Sequence, residues 1–309
     1  MRGFAFLAGW TAFFFLGVIA LLPAGARAQA DPWVEYPARE VDRPWQPAPG
    51  GLITSLTLKS IVTDQAFDQD GSVQNTNGKY NLMTLDLSLS YGITDRWEIL
   101  GGIPYITGEI GETLGGGVGD IYAGTRVGLL QTAPLSLALG LRVSLPTGEA
   151  DYHYELLGQD LRLQNFRTGD PSYDYYPELE ARSTFGNLAL RFLATGVFTD
   201  KAEVNFNRIA GFDEKAEVDP GDGCVLNAGL YYQVSDHWVS GLFLEYTALS
   251  ETRVEGEGLG DEMVRFEVQP RVLYQFSQEF EAMLGGGYVL QGQNTPAGWS
   301  GIVELKTRF

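Results

Sequence analysis

Val264-Arg265-Phe266-Glu267-Val268-Gln269-Pro270-Arg271-Val272-Leu273-Tyr274-Gln275-Phe276 keeps every charge on one set of alternate positions. Val264, Phe266, Val268, Pro270, Val272, Tyr274 and Phe276 fill the other set. Successive side chains of a β-strand point to opposite faces, so this stretch is a strand with one apolar and one polar face. The pattern recurs at Met83, Leu85, Leu87, Leu89 and Tyr91, with Thr84, Asp86, Ser88 and Ser90 between them. Reading outward from these two stretches, period-two alternation predicts twelve strands. They lie near 52–62, 81–91, 97–106, 120–130, 135–146, 176–185, 188–199, 224–234, 238–249, 263–276, 280–291 and 298–309. Each approaches or slightly exceeds the length a tilted strand needs to cross a bilayer. Pro270 cannot donate to the ladder and predicts a bulge or a tear there.

No Asp, Glu, Lys or Arg falls in the apolar register of any segment. Asp120 at the start of its segment apart, the other register holds eight acids and nine bases. A soluble sandwich also alternates, with its apolar face inside. Connections and chain ends separate the two cases. Short connections at 92–96, 131–134, 186–187, 235–237 and 277–279 alternate with long ones near 63–80, 107–119, 147–175, 200–223 and 250–262. Outer-membrane barrels join short periplasmic turns to long external loops in this way, and an even strand number puts both ends on the short-turn side. Aromatics mark two levels: Tyr91, Trp97, Phe185, Trp238, Phe276, Phe280 and Phe309 near the short turns, and Tyr105, Phe198, Tyr246, Tyr288 and Trp299 toward the other end. Such girdles suit two membrane interfaces. The expected fold class is therefore all-β: a transmembrane antiparallel β-barrel of about twelve strands.

The N-terminus predicts export. Arg2 precedes an apolar run from Phe4 to Leu22, and Ala26-Arg27-Ala28 offers a small-x-small cleavage pattern. The expected organisation is a signal peptide over 1–30, a Pro-rich periplasmic leader or plug over 31–50, and the barrel over 51–309. Pro32, Pro37, Pro44, Pro47 and Pro49 favour extended chain in the leader. The last strand, from Trp299 to Phe309, alternates and ends on an aromatic residue. Phe309 thereby resembles the signal by which barrel assembly machinery is met.

Composition narrows the chemistry. The net charge of -18 argues against a nucleic-acid partner. Cys224 is the single cysteine, and His153 and His237 are the two histidines, too few for a Cys- or His-built metal site. No cofactor is expected. Asp68-Gln69-Asp70-Gly71 and Asp219-Pro220-Gly221-Asp222-Gly223 match no full calcium-loop spacing and read as solvated acidic loops.

Tyr91-Gly92-Ile93-Thr94-Asp95-Arg96-Trp97-Glu98, Gly102-Ile103-Pro104-Tyr105, Gly117-Val118-Gly119-Asp120 and Leu145-Pro146-Thr147-Gly148 follow one another between about 85 and 150. In order and spacing they resemble the outer-membrane family named for the MetA pathway of phenol degradation. The resemblance covers about a quarter of the chain after the signal peptide. It implies a transporter-like barrel that takes up small, often aromatic or hydrophobic, compounds. It carries over no binding residues.

Within the inward register, Arg126, Arg142, Arg191, Arg265 and Arg271, with Glu245 and Glu267, are the candidate pore-lining residues. The bland alternative is an ion-pair network that only braces the wall. Tyr152, Tyr154, Phe166, Tyr173 and Tyr175 would form an aromatic constriction if the 147–175 segment folds inward, or scatter over an exposed loop if it does not. The expected function is a passive outer-membrane channel for small solutes, with outer-membrane lipid and the solute as partners. A sealed structural or adhesive barrel is the alternative. A barrel hydrolase is a remoter one, since no Ser motif accompanies His153, so the chain is not expected to be an enzyme.

Overall fold

The structure is a computed structural model. It describes residues 47–309 apart from 112, 133–134, 150–151, 158–159, 164–167, 170, 209–212 and 278. The side chains of 77–79, 110–114, 152–163 and 204–215 lie outside the description as well. The expected signal peptide and most of the Pro-rich leader therefore fall outside the described residues.

In chain order the strands are β1 (Leu52–Phe67), β2 (Val73–Thr94), β3 (Trp97–Gly111), β4 (Thr113–Val118), β5 (Tyr122–Gln131) and β6 (Leu135–Ser144). There follow β7 (Tyr152–Leu157), β8 (Asp160–Leu163), β9 (Asp174–Phe185), β10 (Leu188–Thr199), β11 (Ala202–Arg208), β12 (Asp213–Asp219) and β13 (Gly223–Gln233). The last are β14 (Trp238–Leu249), β15 (Arg253–Val254), β16 (Glu257–Gly258), β17 (Met263–Gln275), β18 (Phe280–Gln293) and β19 (Thr295–Arg308).

Twelve of them close a cylinder. β1, β2, β3, β5, β6, β9, β10, β13, β14, β17, β18 and β19 pair antiparallel in sequence order, and β19 returns to β1. Closure is carried past the last strand residue, where Leu52 and Phe309 exchange both backbone hydrogen bonds at 3.0 and 2.8 Å. With no open edge, every barrel strand has a neighbour on both sides, which a hydrocarbon environment demands.

The register is the one the alternation predicts. Leu87, Leu242 and Leu284 point outward at 48%, 45% and 66% exposure, and neighbouring strands repeat the pattern around the cylinder. An apolar exterior of this extent is a lipid-facing surface. Both girdles lie on it. Trp238, Tyr274, Phe276 and Phe280 form a chain of ring contacts with centroids 4.6–5.1 Å apart near the short turns. Tyr288 and Trp299 touch at 4.7 Å at the other level.

The long connections differ from expectation. Much of their length is strand. β1 and β2 run on as a hairpin whose tip is Asp68–Ser72, and β18 passes to β19 through Asn294 alone. A second sheet, in the order β16-β15-β12-β11-β7-β8, is built wholly from loop segments, with β7 and β11 parallel. These segments are only two to seven residues long, too short for period-two alternation to mark them among the loops, even in β11 where Ala202, Val204 and Phe206 alternate with Glu203, Asn205 and Asn207. Pro270 sits in a tear of the ladder, one of the two outcomes expected for it: Gln269 and Pro270 have no ladder partners on β18, register is kept across the gap, and the bulge falls earlier, between Phe266 and Glu267.

Candidate functional site: a two-walled lumen

Inward side chains of a barrel meet across its axis, so their chemistry must be balanced inside the cylinder. On one side, strands β3 to β10 contribute charge. Arg126 reaches Glu98 at 3.0 Å, Glu178 at 3.5 Å and Glu180 at 3.8 Å. The Arg191 Nε donates to Glu180 at 2.6 Å. Arg142 lies 3.7 Å from Glu178, and its guanidinium stands over the rings of Tyr176 and Tyr122 at 4.7 and 5.3 Å. The Tyr122 hydroxyl donates to Asp86 at 2.8 Å. Three candidates, Arg126, Arg142 and Arg191, thus belong to one network joined through Glu178 and Glu180. Glu98 and Glu180 are almost fully buried, and the guanidiniums beside them supply the pairing that a buried carboxylate requires.

Arg265 and Glu267 form a separate pair nearer the far end. Glu267 is 0% exposed, bonds to Arg265, and accepts from the Ser300 hydroxyl at 2.6 Å. A Cβ at Gly287 would overlap its carboxylate, so glycine is what leaves room for this buried acid. Near the chain ends, Glu281 holds Lys306 and Arg308, each at 3.3 Å.

The opposite wall differs in kind. Tyr231, Val239, Phe243, Leu273, Met283 and Ile302, with Ala189, form one buried apolar cluster. Tyr231 meets Phe243 edge to face at 4.8 Å. These residues occupy the inward register of β13, β14, β17, β18 and β19, which the sequence reading treated as uniformly polar. Arg271 stands at the border, its guanidinium 4.0 Å from the centre of the Phe243 ring and bonded to Gln269.

Two adjoining cavities remain between the walls. One, about 540 Å3, begins at the short-turn end beside Pro47, Ala48 and Phe309 and extends to Arg126 and Arg191. The other, about 420 Å3, continues past Lys59, Glu245 and Arg271. Thr57, Arg191, Glu304 and Lys306 line both, so the two cavities abut at these side chains. At the mouth of the first, Gly92 donates to Gly51, and a Cβ at Gly92 would overlap the backbone of Pro47 and Ala48.

The described aromatics of the 147–175 segment do not constrict this space. Tyr173 and Tyr175 are exposed, and the Tyr175 hydroxyl donates to Asp200 at 3.0 Å. The side chains of Tyr152, His153, Tyr154 and Phe166 are outside the described residues. Two of the sequence motifs meet instead at the rim. The Asp120 carboxylate accepts from the Thr147 and Gly148 amides at 3.0 and 2.8 Å, and the Thr168 hydroxyl donates to the Val118 carbonyl at 2.9 Å. The two motifs are therefore halves of one clamp, and Thr168 is a third part that no motif signalled. Asp68 closes its own turn, accepting from the Asp70 and Ser72 amides at 2.9 and 2.8 Å.

Comparison with known proteins supports the fold. The chain is similar to the COG4313 outer membrane channel from Pseudomonas putida F1, with a TM-score of 0.70 at 17% identity over 87% of this chain and all of that one. It also resembles the β domain of the Bordetella autotransporter BrkA, with a TM-score of 0.51 at 12% identity over 85% of this chain and all of that one. No protein-family model and no curated protein matches the chain. The chain is a transmembrane β-barrel of the outer-membrane type. The family name that its motifs suggested gains no support from these comparisons.

Proposed function

We propose that the barrel is a passive outer-membrane channel for small solutes, aromatic and hydrophobic compounds among them. The observation that carries this reading is the pair of adjoining cavities between the two lumen walls. Eight-stranded barrels are filled by their side chains and sixteen-stranded ones hold a wide water channel, so a narrow passage suits twelve strands. The apolar cluster offers a solute what a uniformly charged lumen would not, a surface on which an aromatic ring loses no contact with apolar atoms. In this reading Arg126, Arg142, Arg191, Glu245 and Arg271 line the route, while the Arg265–Glu267 pair, which lines neither cavity and of which Glu267 is 0% exposed, braces the wall beside it. The fold shared with a protein described as an outer membrane channel agrees with it.

Liposome swelling with phenols, sugars and fatty acids, together with planar-bilayer recording, tests the proposal. Steady unit currents, and phenols entering faster than sugars, are expected. Silent bilayers and unswollen liposomes would overturn the channel in favour of a sealed barrel. That second reading has its own support in the Glu98–Arg126–Glu180–Arg191 network, which braces five strands' worth of wall whatever passes beside it.

A further inference from the structure

The upper of the two cavities has a composition that the chain as a whole does not. Lys59, Arg191, Arg271 and Lys306 face it against Glu245 and Glu304, in a protein whose net charge is -18. Arg191 is held by Glu180, and Lys306 by Glu281 and Glu304. Glu304 also accepts from the Ser55 hydroxyl at 2.6 Å. That leaves Lys59 and Arg271 facing Glu245, and among the described residues none of the three forms an ion pair.

Arg271 is placed to act. Its guanidinium carbon stands over the Phe243 ring at 4.0 Å, a contact that holds a cation without using its N–H donors. Its one hydrogen bond from the outer nitrogens goes to the neutral Gln269, and its buried Nε has no hydrogen-bond partner. A desolvated guanidinium with no carboxylate within ion-pair distance, on which Glu245 and Glu304 act only through space, is a site for an oxyanion, which the planar fork binds with two parallel bonds. Beside the charged residues, Thr57 and Gln269, the cavity carries an apolar surface made by Tyr231, Leu273, Met283 and Ile302. The two features call for one molecule that carries both, a charged head and a flat or aliphatic body.

We propose that this cavity selects small organic anions with an apolar body, a carboxylate on an aromatic ring or short alkyl chain, over neutral or cationic solutes of the same size. The inference rests on the channel reading and names its preferred solute. Arg271 takes the oxyanion, Lys59 adds its charge, and the body lies along the Leu273–Met283–Ile302 surface.

The test uses the full chain in planar bilayers at neutral pH. A reversal potential under a KCl gradient gives the ion preference, and benzoate and benzylammonium are added as blockers of matched size. Chloride should permeate more readily than potassium. Benzoate should interrupt the current at concentrations where benzylammonium does not. Arg271→Gln should weaken the benzoate block about tenfold or more, the loss expected of a charged hydrogen bond, and Arg271→Lys, which keeps the charge but not the planar fork, should restore only part of it. A conducting barrel that prefers potassium, or one blocked equally by both probes, would overturn the anion preference and leave the channel standing. The wild-type measurements decide this without any variant having to fold. Absence of any current would end the channel reading and this one together.

Discussion

Glu180 faces two guanidiniums, Arg191 at 2.6 Å and Arg126 at 3.8 Å, in a position with almost no exposure. Removing one partner of a buried pair strands the other charges in a poor solvent, a loss of about 3–5 kcal/mol. Glu180→Ala is therefore expected to destabilise the barrel by about that much in denaturant unfolding from lipid. A change under about 1 kcal/mol would mean that water or rearrangement already screens the cluster. Outward positions obey the opposite rule. Leu242 lies near the middle of β14 and faces lipid. Leu242→Arg should lose about 2–4 kcal/mol, the value for a base on the lipid face near the bilayer midplane. Its inward neighbour Gly241 lies under no such demand, so side-chain direction alone separates the two. That direction was legible residue by residue, because charge is confined to one register. Which inward residues meet each other was not. Arg126 and Glu178 are 52 positions apart, and only the register between β5, β6 and β9 brings them together.

At the scale of elements, all twelve barrel strands were readable from period two, including their order and the side on which the ends meet. The second sheet was not. Inside the membrane one face must be apolar, which writes the alternation into the sequence. Beyond it no lipid imposes that rule, and β11 pairs with β12 and β12 with β15 in segments too short and too charged to stand out by period two. The motif pieces around Asp120 and Thr147 were visible as turn chemistry, but not as partners across 27 residues. Asp120→Ala removes the acceptor of two amides, and each charge-assisted bond is worth about 1.5–3 kcal/mol. Amide exchange at Thr147 and Gly148 should accelerate about tenfold or more, while the barrel's resistance to heat in detergent is kept. Asp68 gives the element-scale pH dependence. The Ser72 amide, chiefly, holds its carboxyl below the ordinary value of 3.8, with the Gln74 side chain and the Asp70 and Gly71 amides helping. The folded group titrates below the unfolded one, so its contribution is complete above the unfolded pKa and vanishes as pH falls through the lowered one. Protection of the Asp70 and Ser72 amides should persist at neutral pH and fade only under more acidic conditions than free aspartate needs. Fading at a higher pH would show that the turn is held by something other than this carboxylate.

For the whole molecule, the sequence specifies a cylinder more fully than it specifies what the cylinder encloses. Lipid imposes one uniform requirement on the outer register. Inside, a residue need only complement whatever lies across the axis, so Tyr231, Phe243 and Met283 are as acceptable in that register as Arg126. The division into a charged wall and an apolar wall is thus a property of closure, invisible in any single strand. It also sets how the passage should respond when one wall is cut back. Arg126 extends from β5 to carboxylates on β3 and β9 and lines the larger cavity. Arg126→Ala removes bulk from that space and leaves Glu98, Glu178 and Glu180 with fewer cations. Two changes should follow together in planar bilayers. Unit conductance should rise because the space widens, and the current should shift toward cations because carboxylates now predominate there. A rise without the shift would mean that Arg182 and Arg191 re-pair with the freed acids, as their place on the same cavity allows. A shift without a rise would place the narrowest point elsewhere, beside Lys59 and Arg271. No change in either would show that ions bypass the charged wall and follow the apolar side, where Met283 and Ile302 would then be the residues to vary.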